Sequence, residues 1–156
     1  MAVKPRNIDI LLVDDDPGDV ELTKEGLQAA KMLVTLHVAE DGEKALKFLR
    51  KEAPYTEAAQ PDIVLLDLNM PKKSGLDVLR EIKADPALRC IPVVILTTSE
   101  AETDIVKCYD LGANCYIAKP ISFAAFTKVV AMIEEFWFTI VKMPPKKMSR
   151  DGQGFL

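Results

Sequence analysis

Four apolar runs in this chain end on residues that could do chemistry together. Ile10-Leu11-Leu12-Val13 ends on the triplet Asp14-Asp15-Asp16, and Ile63-Val64-Leu65-Leu66 ends on Asp67. A third run ends at Thr97, and a short fourth run leads to Lys119. If Asp14, Asp15 and Asp67 converge, their like charges repel and raise one another's pKa. A divalent cation relieves that repulsion. Oxygen donors alone, with no Cys or His in the cluster, select Mg2+ over Zn2+. Mg2+ in turn suits phosphoryl transfer, because it neutralises charge on the phosphoryl oxygens. One carboxylate then serves as nucleophile. Asp67 fits best, since it follows a central strand and leads into the loop Leu68-Asn69-Met70-Pro71. Lys119 supplies a point charge for a phosphate oxygen. Thr97 supplies a hydroxyl.

Taken singly, each of these residues has a plainer explanation. Asp16 before Pro17 is a helix N-cap, Thr97 a β-former at a strand end, and Lys119 a surface lysine. An N-cap does not explain three aspartates in a row. Their joint occurrence at four strand ends makes the plain explanation inadequate.

The elements that would position these residues alternate along the chain. Strands are expected at Ile8 to Val13, around Val34 to Val38, at Asp62 to Asp67, at Ile91 to Thr97 and at Cys115 to Ala118. Helices are expected from Pro17 to about Ala30, from Gly42 to Glu52, from Ser74-Gly75 to before Pro86, from Thr103 to Leu111, and from a cap at Ser122. Gly112 fits the position just past a helix end. Strands alternating with helices imply an α/β fold, a doubly wound five-stranded parallel sheet with five helices. Right-handed crossovers and the strand order 2-1-3-4-5 fit, and ligands then bind at the carboxyl ends of the strands.

The chain of 156 residues suits one domain, with 49% hydrophobic and 28% charged residues. A net charge of -4 gives no general attraction to nucleic acid or an anionic membrane. Three cysteines without metal spacing favour reduced thiols and a cytoplasmic location. Neither a signal peptide nor a membrane span is read. His37, the only histidine, reads as a half-exposed strand position. Cys108 and Cys115 read as small core residues. Phe136, Trp137 and Phe138 are consecutive, so one helix face cannot bury all three.

The segments LLVDDD, VLLDLNMP, VVILTTSE and YIAKP resemble those of response-regulator receiver domains, the CheY-like branch of flavodoxin-like folds. The likeness spans roughly Asp9 to Ile140. Thirty residues separate Asp67 from Thr97 and twenty-two separate Thr97 from Lys119. The resemblance implies that Asp67 is the phosphoacceptor. It implies that Asp15, Asp67 and the backbone carbonyl of Asn69 are metal ligands, with Asp14 acting directly or through water. It also implies that Thr97 and Tyr116 form a switch pair, that Lys119 contacts the phosphate, that the Lys119-Pro120 bond is cis, and that Asn69 and Ser99 border the phosphate.

On this basis residues 1–140 would form the receiver domain and 141–156 a mobile tail. The protein would be a stand-alone response regulator, not an enzyme beyond assisting its own phosphorylation and dephosphorylation. A sensor histidine kinase would be its phosphoryl donor. The Ala53 to Pro61 loop and the ending EEFWFTIVKMP resemble the regulators paired with phytochromes. That likeness implies a homodimer through the fourth helix, fifth strand and fifth helix, aided by the C-terminal extension. An aspartyl-phosphate phosphohydrolase is the alternative, but its DxD pattern reads Asp67-Leu68-Asn69 here. A phosphate-independent pseudo-receiver would have a degraded acidic site, and this one is complete.

Overall fold

The central strands, Ile8–Val13, Ile63–Leu66 and Val93–Thr97, carry apolar side chains toward both faces, so the sheet must be covered on both sides. The computed structural model describes residues 8–29, 34–70, 72–97, 102–113 and 115–118. In chain order these form β1 (Ile8–Val13), α1 (Pro17–Ala29), β2 (Val34–Ala39), α2 (Gly42–Arg50), β3 (Ile63–Leu66), α3 (Gly75–Ala84), β4 (Val93–Thr97), α4 (Glu102–Asp110) and β5 (Cys115–Ala118). All neighbouring strands run parallel in the order β2-β1-β3-β4-β5, as the alternating pattern required.

Alternation along the strands divides the core in two. Leu11, Val13, Val64, Leu66, Val93 and Ile95 face the side packed by Leu46 and Leu49 of α2, by Val78, Leu79 and Ile82 of α3, and by Cys108 of α4. Ile8, Ile10, Leu12, Ile63, Leu65, Val94 and Leu96 face the other side, where Leu27 and Val20 of α1 pack. Edge strand β2 is less covered. Val34 and Leu36 are half-buried, while Val38 is exposed.

Helix ends follow local chemistry. Asp16 accepts the amides of Gly18 at 2.8 Å and Asp19 at 3.4 Å, the N-cap expected before Pro17. Ser74 caps α3 by accepting the amide of Asp77. α2 stops at Arg50, two residues short of the expected Glu52. Lys51 turns left-handed at φ 56° and its amide bonds back to Lys47 and Phe48 carbonyls. Gly112, at φ 101°, closes α4 with its amide on the Tyr109 carbonyl.

The connection from Lys51 to Asp62 lies over the α2 side of the sheet. Tyr55 and Ala58 pack on that core, and Tyr55 meets Phe48 in a tilted contact with ring centroids 5.6 Å apart. His37 is half-buried in β2, paired with Asp9 at 3.1 Å and meeting Phe48 in a tilted ring contact at 5.1 Å. The expected fifth helix from Ser122, the aromatic run Phe136 to Phe138 and the tail 141–156 lie outside the described residues.

Candidate functional site

β1 and β3 are neighbours, and hydrogen bonding continues one residue past each. The Asp14 amide donates to the Ala39 carbonyl and the Asp67 amide to the Val13 carbonyl, both at 3.0 Å. These bonds fix Asp14 and Asp67 beside one another at the carboxyl edge of the sheet. Asp14, Asp15 and Asp67 each bring one carboxylate oxygen within 4.8 Å of the others. Asp14 and Asp67 are buried, at 2% and 7% exposure, whereas Asp15 is exposed. Two acids are thus held out of water while the third closes the cluster from the solvent side.

Backbone donors orient the buried pair. Asp14 Oδ1 accepts the amide of Asp16 at 3.0 Å, and Asp67 Oδ1 accepts the amide of Asn69 at 3.2 Å. Three carboxylates from three residues, oxygen donors throughout, fit a hard divalent cation, and the crowding of negative charge gives the reason for one. Asp16, third of the triplet, is spent on capping α1.

Asn69 is exposed on the loop after Asp67. Thr97 is the last residue of β4, on the same sheet edge, paired in register with Ala118 of β5. Tyr116 pairs with Ile95, two positions before Thr97, and is half-buried against the α2–α4 side of the core. Lys119, the Lys119-Pro120 bond and Ser99 lie outside the described residues.

Sequence reasoning passed over the support around the Asp67 loop. Gly75 bonds its amide to the Leu68 carbonyl at 2.9 Å, and a Cβ there would sit 2.3 Å from the Asp67 carbonyl oxygen. Only glycine fits so close a return of the chain. Asp41 caps α2, its carboxylate accepting the Lys44 amide at 2.8 Å and pairing with Lys72 at 3.6 Å. Burial pushes the Asp41 carboxyl up, but the Lys44 amide and the Lys72 charge outweigh it and hold it below the usual carboxylate range. Lys73 pairs with Glu81, which also meets Arg50 of α2. The cap was legible in Asp41-Gly42. The pairs across elements carry no spacing signal.

Comparisons with known proteins agree with this geometry. Residues 10–131 match the family model described as response regulator receiver domain. The response regulator Rcp1 of Synechocystis sp. is 42% identical over 135 residues, 86% of this chain and 92% of Rcp1. The crystal structure of the phosphorylated cyanobacterial phytochrome response regulator RcpA superposes with a TM-score of 0.81 at 43% identity, covering 90% of this chain and all of RcpA. The Mn2+-bound form of Rcp1 superposes at 0.79 and 41% identity, covering 88% and 99% of the two chains.

Proposed function

This chain belongs to the response regulator receiver family and is a two-component response regulator, and on that premise we propose that Asp67 accepts its phosphoryl group. The observation that carries the proposal is the gathering of Asp14, Asp15 and Asp67 oxygens within 4.8 Å, at the end of the central strand.

Asp14, Asp15 and Asp67, with the backbone carbonyl of Asn69, would hold Mg2+. When bound, the ion supplies positive charge where the phosphoryl oxygens gather negative charge. The Asp67 carboxylate attacks phosphorus in line as the bond from phosphorus to the donor's imidazole nitrogen breaks. The electron pair of that bond leaves with the imidazole, so the new acyl phosphate forms without an oxidant or a further reactant. Asn69, whose amide holds one Asp67 oxygen, sets which oxygen points outward. Lys119 would contact the transferred group, and Asn69 and Ser99 would border it.

The added charge, about -1.5 to -2, then biases two packings of the same fold. Thr97 turns toward the phosphate and Tyr116 fills the space behind it. The half-buried position of Tyr116 on the core supports this role. The output surface is α4, β5 and the expected fifth helix, and of these α4 carries Val106 and Tyr109 exposed at 52% and 50%. These exposed apolar groups support a homodimer on this side. The donor is a sensor histidine kinase of phytochrome type, a reading supported by the likeness to the cyanobacterial phytochrome response regulator RcpA. We infer action in the cytoplasm from three cysteines without metal spacing, which favour reduced thiols. Among the described residues no helix is long and apolar enough to cross a membrane.

Acetyl phosphate with Mg2+, read by intact mass, tests the proposal. One phosphoryl group is expected on wild type and none on Asp67→Asn. Steady release of phosphate from many small phosphate esters would instead favour a phosphohydrolase.

A further inference from the structure

The loop that follows Asp67 carries a conformation it would not hold unaided. Lys72 sits at φ 66°, in the left-handed region that a non-glycine residue occupies only when its surroundings enforce it. Two contacts supply that enforcement, and both come from the junction between β2 and α2. The Lys72 ammonium pairs with Asp41 at 3.6 Å. Next to it, the Lys73 carbonyl oxygen abuts Gly42 so tightly that a Cβ on Gly42 would lie 2.9 Å away. The same Cβ would lie 2.7 Å from Val78 Cγ2, so α3 presses on this junction as well.

The junction is also tied to the acidic cluster. Ala39, two residues before Asp41, accepts the Asp14 amide at 3.0 Å. One short segment, Ala39 to Gly42, therefore fixes both Asp14 and the far half of the Asp67 loop. The near half is closed by the Asn69 amide on Asp67 and by the Gly75 amide on the Leu68 carbonyl.

Asp41 is suited to be the fixed partner. Its side chain is only 8% exposed against 59% for Lys72, and its second job, capping α2 through the Lys44 amide, holds it in place whether or not Lys72 is present. Ordering therefore flows from the capped helix to the loop.

We propose that Lys72 is a positioning residue for phosphorylation: its pairing with Asp41 holds Lys72 in the left-handed region at the far end of the Asp67 loop and so aims the Asn69 backbone at the Asp67 carboxylate. The inference rests on Asp67 being the phosphoacceptor. Lys72 acts through Asn69 and does not touch the transferred group.

The test is the initial rate of phosphorylation by acetyl phosphate at saturating Mg2+, on the full chain, for Lys72→Met, Asp41→Asn, their double variant and Lys72→Arg. Asn caps helices as well as Asp does, so Asp41→Asn removes the charge and keeps the cap. Each single variant is expected to slow the reaction about three-fold, within what a half-exposed ion pair supplies. The double variant is expected to be no slower than either single one, because both remove the same interaction. Lys72→Arg is expected to restore the wild-type rate with an unchanged melting temperature.

A wild-type rate in Lys72→Met overturns the inference while leaving the phosphoacceptor reading intact. So does a slow Lys72→Met beside a fast Asp41→Asn, which would mean that Lys72 meets the phosphoryl donor itself. Slowing that tracks a lowered melting temperature overturns it in favour of a purely structural role. Wild type left unphosphorylated overturns both readings.

Discussion

Asp14 and Asp67 lie side by side because each donates its amide one strand over, Asp14 to the Ala39 carbonyl and Asp67 to the Val13 carbonyl. Their separation along the chain is irrelevant once β1 and β3 pair. The backbone ladder, more than any side-chain contact, is what builds the acidic cluster.

Crowded acids give a first prediction. With metal removed by chelator, Asp67→Asn is expected to unfold at a higher temperature than wild type, because like charges no longer face one another. Added Mg2+ should reverse the order, stabilising wild type by about 2.7 kcal/mol at a hundred-fold excess over its dissociation constant. Thermal melts with and without Mg2+ check this. A variant that gains as much from Mg2+ as wild type would remove Asp67 from the ligand set.

Gly75 gives a second. A methyl group there would meet the Asp67 carbonyl oxygen at 2.3 Å and Leu68 Cα at 2.5 Å. Both are backbone atoms and cannot turn aside. Gly75→Ala is expected to cost about 1–3 kcal/mol in urea unfolding and to slow phosphorylation, since the loop carrying Asn69 must shift. Gly18→Ala, whose Cβ would meet only the Asp16 side chain at 3.2 Å, serves as the mild comparison.

The core under the site gives a third. Leu66 is fully buried immediately before Asp67, among the α2 and α3 side chains. Leu66→Ala should lose about 2–5 kcal/mol of stability, measured by equilibrium urea unfolding. A loss under about 1 kcal/mol would mean that the helices collapse readily onto the gap.

Acid gives a fourth. The Lys73 hydrogen bond holds the Glu81 carboxyl below its usual range, against the opposing effect of burial, and the charges of Lys73 and Arg50 add to it. A carboxyl depressed in the folded state contributes stability that is fully present above its unfolded pKa and is lost as pH falls through the folded one. The urea midpoint of wild type should therefore decline as pH drops below about 4.3, the ordinary glutamate value. Lys73→Met should flatten that decline. An identical pH profile in the variant would show that the pair does not contribute.

The legible part of this molecule was what lies along single segments. Uninterrupted apolar runs announced a sheet covered on both faces, and the acids at their ends announced the cluster of Asp14, Asp15 and Asp67. Asp16-Pro17 and Ser74-Gly75 marked two helix starts, and Gly112 marked a helix end at its observed φ of 101°. What could not be read depends on tertiary approach. Lys51 ends α2 early by turning left-handed, a conformation lysine does not advertise. The pairing of Lys72 with Asp41 and of Arg50 with Glu81 arises only once α2 and α3 stand side by side. His37, read as a half-exposed strand position, meets Asp9 from the neighbouring strand. Thr97 stood out at its strand end, whereas its pairing with Tyr116 as a switch came only from the resemblance, because nothing in the spacing of Tyr116 distinguishes it from an ordinary strand aromatic.

The central claim is that the phosphoryl group resides on one carboxylate. Borohydride reduces an aspartyl phosphate to homoserine, so phosphorylated protein treated with borohydride and digested can be read residue by residue. Homoserine at position 67 and nowhere else is the result expected. Homoserine at Asp14 or Asp15, or phosphate found on a hydroxyl with position 67 still aspartate, would contradict the account.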